Sequence, residues 1–168
     1  MLIDDFSDKT LLSNLSTRWR AVSDQVMGGL SEPSISHAIV DGHPCMHMVG
    51  NVRLENGGGF IQASLDLAPS GQTFDASGFS GMRLVVRGNE EQYSVHLRTS
   101  DNVRPWQSYR AHFTAARQWE TIQLPFKIFF PHRLDTPLAT TRLRRTGLVA
   151  IGRPFQADLA VSELAFYT

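Results

Sequence analysis

Three groups of residues in this chain have types and spacings that could do chemistry. The first is His43, Cys45 and His47, two imidazoles and a thiol at two-residue spacing. On a strand they would share one face, with the outer pair about 13 Å apart. One zinc ion with bonds of about 2 Å cannot reach all three, so the set reads as an exposed or edge face and no metal site is assigned. The second group is Asn56-Gly57-Gly58-Gly59. A phosphate cradle needs a helix N-terminus behind it, and often a lysine. Here Phe60 opens a β-type run instead, and Asn-Gly is the strongest short hairpin signal. The third group is polar: His96 and Arg98 in one run, Arg110 and His112 in the next, Gln62 and Ser64 in a third, with Trp106 in phase with Arg110. Converging hydrogen-bonding groups beside an aromatic platform suit a polar ligand such as a sugar. The alternative is the wet side of an antiparallel sheet.

Asp24 and Gln25 precede Gly28-Gly29, which places them on a loop, where binding residues concentrate on a rigid scaffold. Arg98 and Trp106 would lie near the connecting end of a hairpin, about the loop 100–105. The competing role for Arg98 is to pair with an acid such as Asp24 and pin that loop. Arg142, Arg144 and Arg145 read as a solvated strand edge. Asp24, Asp66, Asp101 and Asp158 offer carboxylates for glycoside cleavage, but no spacing selects a pair. Nucleophile elbows, Cys–His protease signatures, zincin motifs and cofactor fingerprints are all missing, so an enzyme ranks last and no cofactor is expected.

The elements that must position these residues are short β-type runs between turn residues. They cover 2–6, 18–22, 34–40, 44–54, 60–67, 81–87, 92–99, 106–113, 119–124, 147–153 and 157–167. In 92–99, Tyr93, Val95 and Leu97 alternate with Ser94, His96 and Arg98, and 106–113 sets Tyr109, Ala111 and Phe113 against Trp106, Ser108, Arg110 and His112. Residues 8–15 have room for one or two helical turns, and 69–77 and 132–141 read as surface loops. So many strands with so little helix predict an all-β sandwich or barrel. Trp19, Phe60, Phe113 and Trp119 are expected in its core.

The 168 residues, 42% hydrophobic and 19% charged, suit one domain over 1–168 with a sizeable core. Net charge is zero, so no global field draws the chain to nucleic acid. No apolar run reaches the ~18 residues a membrane span needs. The start, Met1-Leu2-Ile3-Asp4-Asp5-Phe6, does not read as a signal peptide, and Cys45 alone cannot form an intrachain disulfide. The expected location is the cytoplasm.

Trp19-Arg20-Ala21-Val22-Ser23-Asp24-Gln25-Val26-Met27-Gly28-Gly29-Leu30-Ser31 resembles the W-x-x-V-x-D-x-V-M-G-G-x-S signature of the complex I intermediate-associated protein 30 family. The resemblance continues through 56–60, 81–88, 93–98, 109–113, 119–126 and 158–167, nearly the whole chain. It implies a jelly-roll β-sandwich of the galactose-binding-domain type. The family's best-known members are chaperones for assembly of the respiratory NADH dehydrogenase, with no established catalytic residues. Of the matching positions, Trp19, Asp24, Met27, Gly28, Gly29, Ser31, Phe60, Arg98, Tyr109 and Trp119 would matter most.

The candidate ligand- or partner-binding set is therefore Asp24, Gln25, Gln62, His96, Arg98, Trp106, Tyr109 and Arg110. A non-catalytic module holding a protein partner, as an assembly factor would, is the first functional expectation. A module for a carbohydrate-like small molecule, using the polar sheet face, is the second. An exposed apolar patch would favour the first, and a concave cleft with Trp106 flanked by His96 and Arg98 would favour the second.

Overall fold

The computed structural model describes residues 1–168 and contains two antiparallel sheets packed face to face. Twelve strands follow in chain order: β1 (Leu2–Asp4), β2 (Arg20–Ser23), β3 (Ser34–Val40), β4 (His43–Val52), β5 (Phe60–Asp66), β6 (Gly81–Arg87), β7 (Gln92–Thr99), β8 (Ser108–Thr114), β9 (Glu120–Pro125), β10 (Phe130–His132), β11 (Leu143–Ile151) and β12 (Phe155–Tyr167). The first sheet runs β3-β4-β12-β6-β9, with β1 also on β12, and the second runs β10-β8-β7-β11-β5-β2. This is a jelly-roll β-sandwich.

Side-chain alternation decides what each face does. Tyr93, Val95 and Leu97 of β7, and Tyr109, Ala111 and Phe113 of β8, point into the core with Ile61, Ala63 and Leu65 of β5. Met46 and Met48 of β4, Leu84 of β6, and Leu159, Val161 and Phe166 of β12 meet them from the other sheet. The outward phase of the second sheet is left with His96, Arg98, Arg110 and Gln62, and that phase forms the site.

Several expectations change. Residues 8–15 form turns, because Leu11 takes a left-handed φ of 62° and the Ser13 hydroxyl accepts from the backbone N–H of Leu15 and Thr17. Asn56-Gly57 turns the chain with left-handed backbone, yet it closes no hairpin: β4 and β5 lie in different sheets, so it is a crossover. β11 starts at Leu143, so Arg144 and Arg145 sit on a central strand between β7 and β5, not on an edge. β4 is likewise internal, Cys45 is buried, and His47 Nε2 pairs with Asp158 Oδ1 at 2.6 Å. Trp19 and Phe113 are buried, whereas Phe60 and Trp119 are only half-buried. Trp119 packs beside His43, with its indole N–H donating to Val40 O. No helix is long and apolar enough to cross a membrane.

Candidate binding site

The outward face of the second sheet carries a cleft of about 1060 Å³. Its floor is built by register. His96 stands opposite Arg110 on one side and Gly147 on the other, while Val149 stands opposite Gln62, which is in turn opposite Val22. Gly147 is a floor position where size matters. A Cβ there would lie 2.2 Å from Gln62 Oε1, so the missing side chain lets the Gln62 amide lie low across the strand.

Two loop systems wall this floor. On one side stand Val26 and Met27 from the turn after β2, and Leu54 with Gly57 to Gly59 before β5. Asp24 joins these two segments. Its Oδ1 accepts from Ser31 N at 3.0 Å, and its Oδ2 accepts from Ser31 Oγ at 2.5 Å, Gly59 N at 2.6 Å and Phe60 N at 3.2 Å. Burial pushes the Asp24 carboxyl up, but these bonds together outweigh it and hold the group below its usual range. A Cβ on Gly29 or Gly58 would fall 2.4 or 2.6 Å from the carboxylate. The D-x-V-M-G-G-x-S element and the glycine cluster thus form one joint, with the glycines making room for the acid.

The facing wall is the loop between β7 and β8, with Arg133 beyond it. Arg98 Nη1 donates to Arg104 O at 3.2 Å, Pro105 O at 3.0 Å and Gln107 O at 2.8 Å. The guanidinium therefore holds the loop that presents Trp106, a residue 55% exposed. Arg98 does pin a loop, but its own, through carbonyls and without Asp24. Arg110 Nε donates to Ser108 Oγ at 2.9 Å. Burial lowers the pKa of both arginines, and so does each one's arginine neighbourhood. Burial, followed by the nearby Arg110, drives the His96 pKa well below its usual value, so the ring is neutral at pH 7. Its Nε2 is buried with no hydrogen-bond partner.

Of the eight candidate residues, the cleft collects Gln62, His96, Arg98, Trp106 and Arg110. Three stand elsewhere. Asp24 is fully buried with both oxygens committed, so it shapes a wall and offers nothing to a ligand. Gln25 is exposed outside the lining. Tyr109 lies on the core phase with its hydroxyl donating to Thr136 O at 2.6 Å, because two-residue alternation turns it away from Arg110. Sequence reasoning missed Leu54, Arg133 and Gly147 as lining, and it singled out Met27 only through the family signature. Gly147 left no signal because the run 147–153 set it at a strand start, whereas β11 begins at Leu143 and makes it a glycine inside a strand, a position that often marks a close approach.

Similar architecture occurs in several solved structures. The family 11 carbohydrate-binding module of the cellulosomal cellulase Lic26A-Cel5E of Clostridium thermocellum superposes with a TM-score of 0.73 at 16% identity, over 99% of this chain and 93% of the module. The family 11 module of that organism in complex with a β-1,3-1,4-mixed-linked tetrasaccharide gives 0.71 at 15%, over 99% and 94%. A family 30 carbohydrate-binding module gives 0.62 at 12%, over 88% and 82%. At such identities the likeness establishes the fold. Comparison with curated protein sequences finds no match. The model of the family described as Complex I intermediate-associated protein 30 matches residues 5–160, almost the full length of the chain. The chain belongs to the complex I intermediate-associated protein 30 family.

Proposed function

We propose that this chain is a non-catalytic binding module that holds an extended, hydroxyl-rich ligand of the saccharide class in the cleft across its second sheet. The observation that carries this reading is the cleft itself. Side-chain donors and acceptors at Gln62, His96, Ser108 and Arg110 line it, and an exposed indole stands on its rim. Its volume exceeds the few hundred Å³ of a minimal small-molecule pocket and leaves room for several sugar rings. The tetrasaccharide held by the similar Clostridium module lends the reading support.

A second reading, a protein partner held during assembly of a respiratory enzyme, draws on the family and on one feature of the rim. Val26, Met27 and Leu54 are 75%, 55% and 45% exposed, an apolar lip that a partner loop would cover. The two readings separate in a glycan-array screen of the wild-type chain beside Trp106→Ala and Gly147→Val. Saccharide capture that both substitutions weaken by about tenfold or more, with an unchanged melting temperature, supports the first. An array without signal, together with retained capture of a native protein by both variants, would sink it.

A further inference from the structure

The cleft contains no carboxylate. Arg98, Arg110, Arg133 and Arg145 line it, joined by His96 and His132, while no Asp or Glu is among the lining residues and Asp24 lies buried behind one wall with its oxygens committed. The chain as a whole has 16 basic and 16 acidic side chains, so this sorting is local. Arg145 is balanced by Asp66 at 2.7 Å. The other eight ion pairs of the molecule use neither Arg98 nor Arg110 nor Arg133. Arg98 and Arg110 are half-buried, so their charge is partly stripped of water with no counter-charge supplied by the protein. The His96 nitrogen without a partner lies among them, and a buried polar atom left unpaired marks a place where another molecule can complete the bonding.

We propose that the ligand is an acidic saccharide, a sugar chain whose carboxylate or sulfate groups are taken by Arg110 and Arg133 while a ring stacks on Trp106. This rests on the saccharide reading of the cleft and specifies its chemistry. A guanidinium bonds a planar carboxylate or a sulfate through two parallel N–H groups, and such charge-assisted bonds are about twice as strong as neutral ones. The floor argues against an acidic peptide in extended form. Strands β5, β7 and β11 are each paired on both sides and β10 covers β8 along Ser108–Arg110, so the floor beside Arg110 offers no backbone edge to another strand. A single exposed indole likewise falls short of the row of stacking platforms a single-stranded nucleic acid uses.

The test is calorimetric titration of the full chain at low ionic strength with four probes: an oligogalacturonate, a sulfated galactan oligosaccharide, a neutral mixed-linked β-glucan oligosaccharide and an oligoglutamate. One or both acidic saccharides should bind at least about tenfold more tightly than the neutral one. Arg110→Gln and the exposed Arg133→Gln should each lower that affinity by about tenfold. Arg133→Gln, at the surface, keeps the test valid if Arg110→Gln fails to fold. Which acidic probe binds distinguishes carboxylate from sulfate. Equal affinity for the neutral probe overturns the inference and leaves the saccharide reading standing, as does acidic binding that both variants retain. Binding of oligoglutamate alone, or of no probe, overturns both.

Discussion

Asp24 is held at the centre of its joint by groups far apart in sequence, and that geometry makes its contribution testable. An Asn in its place would set an N–H₂ against the N–H groups of Gly59 and Phe60. Asp24→Asn should therefore lower stability by about 2–4 kcal/mol, read from urea midpoints, since it leaves buried donors unpaired. Unchanged midpoints would mean that the joint contributes nothing. His96 gives a prediction of pH dependence. Its pKa is depressed in the folded state by burial and by Arg110, His112, His132 and Arg98, so the unfolded chain takes up the proton first. Its neutral burial carries no penalty above pH ~6.5, and stability falls as pH drops below that value, by up to about 1.4 kcal/mol per unit. His96→Gln should flatten the melting temperature between pH 6.5 and 5, and an unaltered profile would count against the neutral assignment.

The β7–β8 hairpin is the element that converts sequence into site, and its residues were legible for a physical reason. Two-residue alternation fixes phase, so placing Tyr93, Val95 and Leu97 inward leaves His96 and Arg98 no choice but outward, and the paired strand repeats the logic for Arg110. Strands 34–40, 81–87 and 92–99 were readable to their ends because turn residues bracket clean alternation. β10 was not, since three residues that include Pro131 carry no period. The start of β11 was missed because Leu143-Arg144-Arg145-Thr146 is too polar to look central, although Asp66 supplies the partner that lets Arg145 sit there. Asp24 was misplaced because the donors that bury it come from Gly59 and Phe60, on another element. At this scale Arg98→Ala should loosen the whole loop. Amide exchange at 103–107 should quicken and ligand affinity fall together, whereas Trp106→Ala should change affinity alone. Slow exchange in Arg98→Ala would show that the loop holds without its three carbonyl bonds.

The sandwich as a whole depends on its apolar interior, and the two tryptophans gauge that. Trp19 is 3% exposed and donates its indole N–H to the buried Asp4 at 2.8 Å, so Trp19→Ala should cost about 3–5 kcal/mol in a denaturant titration. Trp119 is half-buried on the outside of the first sheet, and Trp119→Ala should cost roughly half as much. Equal losses would contradict the difference in burial.

The carboxylate-free cleft also bears on how the molecule meets its surroundings. Because the chain is neutral overall, the acids that balance Arg98, Arg110 and Arg133 stand elsewhere in the molecule. A distant anion exerts almost no net pull on such a body. Within a screening length of about 8 Å at physiological salt, however, the local fields no longer cancel. A torque then replaces the missing force and turns the open side of the second sheet toward negative charge. Encounters would thus be oriented without being accelerated at long range, and the chain would avoid the general stickiness to polyanions that a net positive protein carries.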